Sequence, residues 1–76
     1  MDLNTFLHNI AEQFENTDPA EIIPSANFKG LKEWSSLTAL SVMAMVDEEY
    51  DIKITGDDIR NTSTIEDLYR VVQSRM

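Results

Sequence analysis

The sequence predicts an all-α fold, a small up-down bundle of three main helices and one short helix. Two observations favour it: apolar residues recur at helical spacing, and residues that cap helices precede the periodic segments. No segment shows the regular alternation of a convincing strand. The chain has 76 residues, so we expect one domain over residues 1–76, too small for a deep catalytic cleft beside its core.

The first helix is predicted from about residue 2 to residue 16, because apolar side chains recur on one helical face. These residues are Leu3, Phe6, Leu7, Ile10 and Phe14. Asp2 can cap the start of this helix, and Pro19 lies just beyond its end. His8 is on the polar side of the helix, and a lone exposed histidine is expected to be inert.

Residues 17–35 are predicted to form an ordered loop, which can include one short helical turn. The segment holds both prolines and Gly30, and its apolar residues can anchor it to a core. These anchors are Ile22, Ile23, Phe28, Leu31 and Trp34. Loops of this length are uncommon in compact domains unless they are functional.

The second helix is predicted from about residue 36 to residue 50, where strong helix formers follow one another without Gly or Pro. It has two apolar stripes, and a helix in so small a bundle cannot bury both. The stripe expected in the core is Ala39, Val42, Met43, Val46 and Tyr50. The other stripe is Leu37, Leu40 and Ala44, continuing into Asp47, Glu48 and Asp51. We expect this second stripe to be a partly exposed docking surface; alternatively, the loop at 22–34 covers it.

Two further helices are predicted near the C-terminus, a short one at about 56–61 and a longer one at about 64–75. Asp57 and Asp58 lie near the start of the short helix. The start of the longer helix has two overlapping capping-box patterns, one at residues 63–66 and one at residues 64–67. Its apolar face is Ile65, Leu68, Tyr69 and Val72.

Composition and charge favour a soluble, cytoplasmic and monomeric protein. The net charge is −8, which disfavours nucleic acids and anionic membranes as partners and favours basic protein surfaces. No basic segment leads into an apolar one at the N-terminus, and no apolar stretch has membrane-spanning length. The chain has no cysteine, so it has neither a disulfide nor a thiol of its own.

A calcium loop at residues 47–58 is the one metal-site pattern that the acids suggest, and the sequence argues against it. Ile52 stands where such a loop needs Gly, and Asp58 stands where it needs Glu. No His or Cys cluster can hold zinc, so no metal site is expected. A serine-histidine-acid set would have to use His8, and there is no Gly-x-Ser-x-Gly elbow. We therefore do not expect catalysis by this chain itself.

The pair Ser35–Ser36 precedes the apolar run of the second helix, in the stretch 33-EWSSLTAL-40. Serine is a preferred N-cap, so simple capping explains one hydroxyl. A helix N-terminus also stabilises a phosphate, because its free N–H groups and its positive dipole end point towards the anion. A phosphodiester at this position would lie at the top of the exposed stripe, where a tethered group can be presented to a docked enzyme.

The order of elements and the run 36-SLTALSVMAMVDEEYDIKI-54 resemble acyl carrier proteins and related phosphopantetheine-bearing carrier domains. The resemblance implies that Ser36 carries covalent 4′-phosphopantetheine, which a phosphopantetheinyl transferase attaches from coenzyme A. The thiol of the arm then holds acyl or aminoacyl groups as thioesters. The partner-binding positions implied are Leu37, Leu40, Ser41, Ala44, Asp47, Glu48 and Asp51.

The sequence departs from the family pattern next to the attachment serine. Ser35 stands where the family usually has Asp, Glu33 where many members have Gly, and Ser41 where an acid is usual. Ser35 is thus a second hydroxyl beside the site; we favour Ser36, because Leu37 and the helix register follow it. The position of Trp34 resembles that of the tryptophan in carriers of specialised pathways, which often have the sequence Trp-Asp-Ser-Leu.

The function implied is a discrete acyl carrier protein for a specialised pathway (polyketide or other secondary-metabolite biosynthesis) or for fatty acid biosynthesis. Its partners would be the transferase and acyl-transferring or condensing enzymes with basic docking patches. The alternative is a helical interaction module that keeps the carrier fold without the arm, in which Ser35 marks the loss of modification.

Overall fold

The computed structural model describes residues 2–76, which form four α-helices joined by loops. Helix α1 spans Leu3–Ala11, α2 spans Ser36–Tyr50, α3 spans Gly56–Arg60 and α4 spans Ile65–Ser74. Two short 3₁₀ helices, Pro19–Glu21 and Phe28–Gly30, lie between α1 and α2. Residues 2–76 contain no strand, and the prediction of an all-α fold is confirmed.

The core lies where α1 packs against α2 and α4, and α3 packs against α4. Phe6 on α1 is fully buried. Its ring centroid lies 6.0 Å from that of Tyr50 and 5.5 Å from that of Tyr69, so one aromatic side chain joins three helices. The other buried apolar residues are Ile10, Phe14, Ile22, Phe28, Val42, Met45, Val46, Ile52, Ile54, Ile59, Ile65, Leu68 and Val72.

Helix α1 is shorter than the apolar spacing predicts, because it ends at Ala11 and not near residue 16. The N–H groups of Gln13 and Phe14 donate to the carbonyls of Ile10 and Ala11, three residues back, at 3.0 and 3.1 Å. Such tighter bonds close the last turn of a helix. Phe14 is nevertheless buried, so the apolar periodicity continues after the helix has ended.

The long segment before α2 is held to the core by aromatic packing. Phe28 is 2% exposed, and the Trp34 ring lies 5.1 Å from the Phe28 ring and 6.4 Å from the Phe14 ring. Ile22 is also buried. The segment is therefore an ordered part of the fold, and its two 3₁₀ turns exceed the single turn that the sequence suggested.

Helix α4 begins with a capping box between Thr64 and Asp67. The Asp67 N–H donates to the Thr64 hydroxyl at 3.1 Å, and the Thr64 N–H donates to the Asp67 carboxylate at 3.1 Å. The Ser63 N–H also donates to Asp67, at 3.2 Å. Of the two predicted capping boxes, the one at residues 64–67 is formed.

Helix α3 is also capped by a box, in which Thr55 and Asp58 exchange hydrogen bonds. Arg75, just after α4, donates two hydrogen bonds to the Asp58 carboxylate at 2.6 and 2.7 Å. The Arg75 guanidinium and the Thr55 amide hold the pKa of Asp58 well below its usual range. This carboxylate therefore links the short helix to the C-terminal end of the chain.

The calcium-loop alternative does not match the backbone, because α2 continues through Tyr50 and keeps residues 47–50 helical. Residues 2–76 bring no group of three or more His, Cys, Asp or Glu side chains into an arrangement that could hold a metal ion. Within the same residues, none of the helices is both long enough and apolar enough to cross a membrane.

Candidate functional site

The start of α2 is capped by Ser35. Its backbone is extended, and its hydroxyl accepts a hydrogen bond from the Thr38 N–H at 3.3 Å. The Thr38 hydroxyl in turn donates to the Glu33 carbonyl at 2.8 Å. The capping role that the sequence left open between two serines thus falls to Ser35.

Ser36 is the first residue of α2, and its side chain is exposed. Its hydroxyl forms no hydrogen bond with any group in residues 2–76. It lies beside the free N–H groups and the positive dipole end of a 15-residue helix. The two adjacent serines therefore differ: the Ser35 hydroxyl stabilises the helix start, and the Ser36 hydroxyl is available to a reagent from solvent.

Glu33 ties the segment before α2 to the end of α1. Its carboxylate accepts hydrogen bonds from the Thr17 hydroxyl at 2.5 Å and from the backbone N–H groups of Asn16 and Glu15 at 2.7 and 3.0 Å. The Thr17 hydrogen bond, with smaller contributions from those amides, lowers the pKa of Glu33. Sequence reasoning noted Glu33 only as a departure from a family glycine, since its partners lie 16 to 18 residues away.

The second apolar stripe of α2 is exposed. Leu37 is 76% exposed and Leu40 is 59% exposed, and Ser41, Ala44 and Glu48 are also exposed on this helix. The alternative interpretation, in which the loop at 22–34 covers the stripe, is therefore wrong. The helix buries its other side through Val42, Met45 and Val46, with Ala39, Met43 and Tyr50 partly buried.

The C-terminal end of α2 is acidic. Its last turn holds no base, and Asp51 follows as the C-cap in a left-handed conformation with φ 55°. Asp47 is half-buried and lies 3.8 Å from the Lys53 ammonium, whereas Glu48 and Asp51 are exposed and have no basic partner within residues 2–76. Acids near a helix C-terminus are unfavourable, because the dipole there is negative. Stability alone does not explain this cluster.

A groove of about 570 Å³ adjoins the two serines. Residues from three parts of the fold line it: the segment before α2, α2 itself and α3. The lining residues are Lys29, Trp34, Ser35, Ser36, Ala39, Leu40, Met43, Gly56, Ile59 and Arg60. Its walls are largely apolar, with two cationic side chains, Lys29 and Arg60. This groove could not be predicted from the sequence, because its walls are distant along the chain.

The lone histidine is not arranged for catalysis with these serines. His8 is exposed on α1, and its Nε2 lies 3.0 Å from the Glu12 carboxylate. Neither side chain lines the groove beside Ser36. Within residues 2–76, the site therefore offers an accessible hydroxyl with no histidine beside it.

Comparison with known proteins relates the chain to a family whose members carry a group on a serine. A model of the family described as phosphopantetheine attachment site matches residues 5–72. No curated protein and no solved structure matches the chain. The matched region includes all of α2 and α3 and most of α1 and α4. The chain belongs to the phosphopantetheine attachment site family, whose covalent cofactor is 4′-phosphopantetheine.

Proposed function

We propose that this chain is a discrete carrier protein that holds acyl or aminoacyl groups as thioesters on a 4′-phosphopantetheine arm attached to Ser36. The observation that carries the proposal is the difference between the two serines at the start of α2. The Ser35 hydroxyl is engaged as a cap, and the exposed Ser36 hydroxyl has no partner within residues 2–76. Ser35 itself is the less favoured attachment site, because its hydroxyl oxygen already accepts the capping hydrogen bond and would be a poorer acceptor as a phosphate ester.

The residues around Ser36 fit the cofactor. The hydroxyl oxygen of Ser36 can form the phosphodiester bond that attaches the arm, and the N-terminus of α2 favours a phosphate group there. The adjoining groove offers an apolar wall of Trp34, Ala39 and Met43 to the less polar part of an arm. When bound, the arm supplies a thiol for thioester chemistry, which this cysteine-free chain lacks.

Docking through α2 is part of the proposal. Leu37, Leu40 and Ala44 offer an apolar strip beginning next to Ser36, and Asp47, Glu48 and Asp51 continue it as an acidic surface. Ser41 lies on the same exposed side. The strip suits enzymes whose docking patches combine apolar residues with Lys and Arg, and added salt should weaken these complexes.

The expected partners are a phosphopantetheinyl transferase and acyl-transferring or condensing enzymes, and the carrier would act as a cytoplasmic monomer without catalytic activity of its own. Trp34 favours a specialised biosynthetic pathway over fatty acid synthesis, on the resemblance noted above. Its ring also contacts Phe14 and Phe28, so packing is a second reason for an aromatic residue there.

A carrier-fold interaction module without the arm is the second candidate function. The exposure of Leu37 and Leu40 favours it, because a docking strip does not require a modified serine. The absence of an acid before Ser36 favours it as well. The two candidates differ in whether a transferase can load the chain.

The test is the intact mass of the protein after incubation with coenzyme A, magnesium and a broad-specificity phosphopantetheinyl transferase. The wild-type chain should gain one phosphopantetheine, and Ser36→Ala should gain none. Absence of any gain in the folded wild-type chain would favour the unmodified module. Full modification of Ser36→Ala would show that the attachment residue is a different one.

A further inference from the structure

We propose that Lys29 and Arg60 form an anion-binding wall of the groove beside Ser36 and hold the phosphodiester of the arm against it. The arm would then lie along the groove for part of the time and would not extend freely into solvent. This inference rests on the proposed attachment to Ser36 and goes beyond it, because it assigns two cationic residues a positioning role.

Lys29 comes from the second 3₁₀ helix, and its ammonium reaches the end of α3. There it donates a hydrogen bond to the Arg60 carbonyl at 3.1 Å. It has no acidic partner within residues 2–76. An ammonium has three donors, so this hydrogen bond leaves two for an anion.

Arg60 brings a second positive charge to the same groove from α3. Its Nη1 would lie 3.6 Å from a Cβ placed on Gly56, so the guanidinium lies back along its own helix. Nη2 donates to the Asp57 carboxylate. A guanidinium has five donors, and a single contact with Asp57 leaves others for an anion.

Lys29 is unusual among the bases of this acidic chain because it has no acidic partner within residues 2–76. Of six bases, four form ion pairs within residues 2–76: Lys53, Arg60, Arg70 and Arg75. The two that do not are Lys29 and Lys32. Lys29 lines the groove that contains Ser36, whereas Lys32 lines a different one beside Thr17. Lys32 is therefore a matched control, with the same side chain and no acidic partner.

The occupant follows from the attachment chemistry. A phosphodiester on Ser36 is fixed by a covalent bond to a residue that lines this groove. The position of cargo at the far end of a flexible arm is not fixed in this way. The phosphodiester keeps its negative charge at neutral pH, and a positive wall beside it lowers the free energy of the arm in the groove. Salt should weaken this attraction, because the groove is open to solvent.

The first experiment compares amide NMR spectra of the apo and loaded forms of the same variant. In the wild type, loading should shift the amides of Lys29, Gly56, Ile59 and Arg60 in addition to those next to Ser36. In the double variant Lys29→Gln/Arg60→Gln, the distant shifts should be lost and those next to Ser36 retained. Comparing the two forms of one variant subtracts any structural effect of the substitutions.

The second experiment measures how fast the thiol of the loaded arm reacts with iodoacetamide, which is uncharged. The double variant should react about two- to fivefold faster than the wild type, the range expected when solvent-exposed charge pairs are lost. Removing nearby cations would by itself raise the thiol pKa and slow the reaction, so faster reaction indicates release of the arm. Lys32→Gln should match the wild type, Lys29→Arg should retain the slow rate, and salt should accelerate the wild type more than the double variant.

Three results would overturn the inference while leaving the attachment intact. They are loading shifts confined to the neighbours of Ser36 in the wild type, distant shifts that persist in the double variant, and equal alkylation rates in all variants. Failure of the attachment proposal is separate, because the intact mass of the wild-type chain would then show no loading before either experiment begins.

Discussion

Helices α2 and α4 each bury three residues in the same core, but they present different surfaces to solvent. Helix α4 buries Ile65, Leu68 and Val72, starts with a capping box and pairs Arg70 with Glu66 on its outer side. Helix α2 buries Val42, Met45 and Val46 and has a single serine cap, two exposed leucines and an acidic C-terminal turn. The capping box and the ion pair on the surface of α4 stabilise the helix. The exposed leucines and the acidic last turn of α2 do not stabilise the fold in this way.

In a small helical protein, surface features that do not stabilise the fold indicate where another molecule binds. Exposed leucines gain little free energy on folding, and acids at a helix C-terminus reduce stability. Such features are expected on a surface that another molecule binds. In this chain they lie on one helix, next to a hydroxyl that has no partner within residues 2–76.

The largest effect should separate the buried leucine of α4 from the exposed leucine of α2. Leu68→Ala should lower the free energy of unfolding by about 2–5 kcal/mol, because Leu68 is 1% exposed and its truncation leaves a cavity. Leu40→Ala should change it by less than about 0.5 kcal/mol. Urea unfolding of the two variants measures both values. A similar loss in Leu40→Ala would mean that this stripe contributes to the core.

Removing the N-cap should also destabilise the protein more at α4 than at α2. Thr64→Ala removes one half of a reciprocal box and should cost about 1–2 kcal/mol, whereas Ser35→Ala should cost about 0.5–1 kcal/mol. Thermal or urea unfolding of the apo proteins gives both numbers. A larger loss of stability in Ser35→Ala than in Thr64→Ala would contradict the view that capping stabilises α4 more than α2.

A glycine at the end of α2 should stabilise the protein. Asp51 has a positive φ of 55°, which favours glycine over other residues, and the substitution also removes an acid from the negative end of the helix. Asp51→Gly should therefore raise the free energy of unfolding by about 0.5 kcal/mol. Asp51→Ala is the matched control, since it removes the charge but keeps the unfavourable φ. Equal stability of the two variants would mean that the backbone conformation is unimportant here.

The last prediction concerns the contact between Asp58 and Arg75, whose contribution to the free energy of unfolding depends on pH. The pKa of Asp58 is lowered in the folded chain, so its ionised form stabilises folding above the unfolded pKa of about 4. That contribution is lost as the pH falls below this value and through the folded pKa.

Arg75→Met should therefore be less stable than the wild type at pH 7, and the gap should narrow as the pH falls below about 4. Urea unfolding of both proteins over a pH series provides the measurement. A gap that stays constant from pH 7 into the acid range would show that Arg75 acts by packing and not through the charge of Asp58.

The parts of the fold that could be predicted are those whose signals are local. The helix formers after Ser36, and the capping pattern at Thr64 and Asp67, are written in adjacent residues. The end of α1 could not be predicted, because Phe14 keeps the apolar period while backbone groups just beyond it bond to Glu33 across a long loop. The exposed stripe of α2 could be inferred only because one helix had too many apolar sides for so small a core.

The sequence predicts Ser35 and Ser36 as candidate site residues, but it predicts neither the groove beside them nor its cationic residues. The sequence shows two serines at a helix start, and it does not show which hydroxyl is engaged, since that depends on the backbone conformation of Ser35. Lys29 and Arg60 are separated by 31 residues, and only folding brings them to one groove. Signals of this kind are tertiary and leave no local pattern.

The most direct test of the account is the position of the modification within the loaded chain. Fragmentation mass spectrometry of a peptide that contains both serines can assign the phosphopantetheine to one of them. It should be on Ser36 in the wild type and in Ser35→Ala, with the same extent of loading. Modification on Ser35 in the wild type would contradict the assignment of Ser35 as the cap of α2 and of Ser36 as the attachment residue.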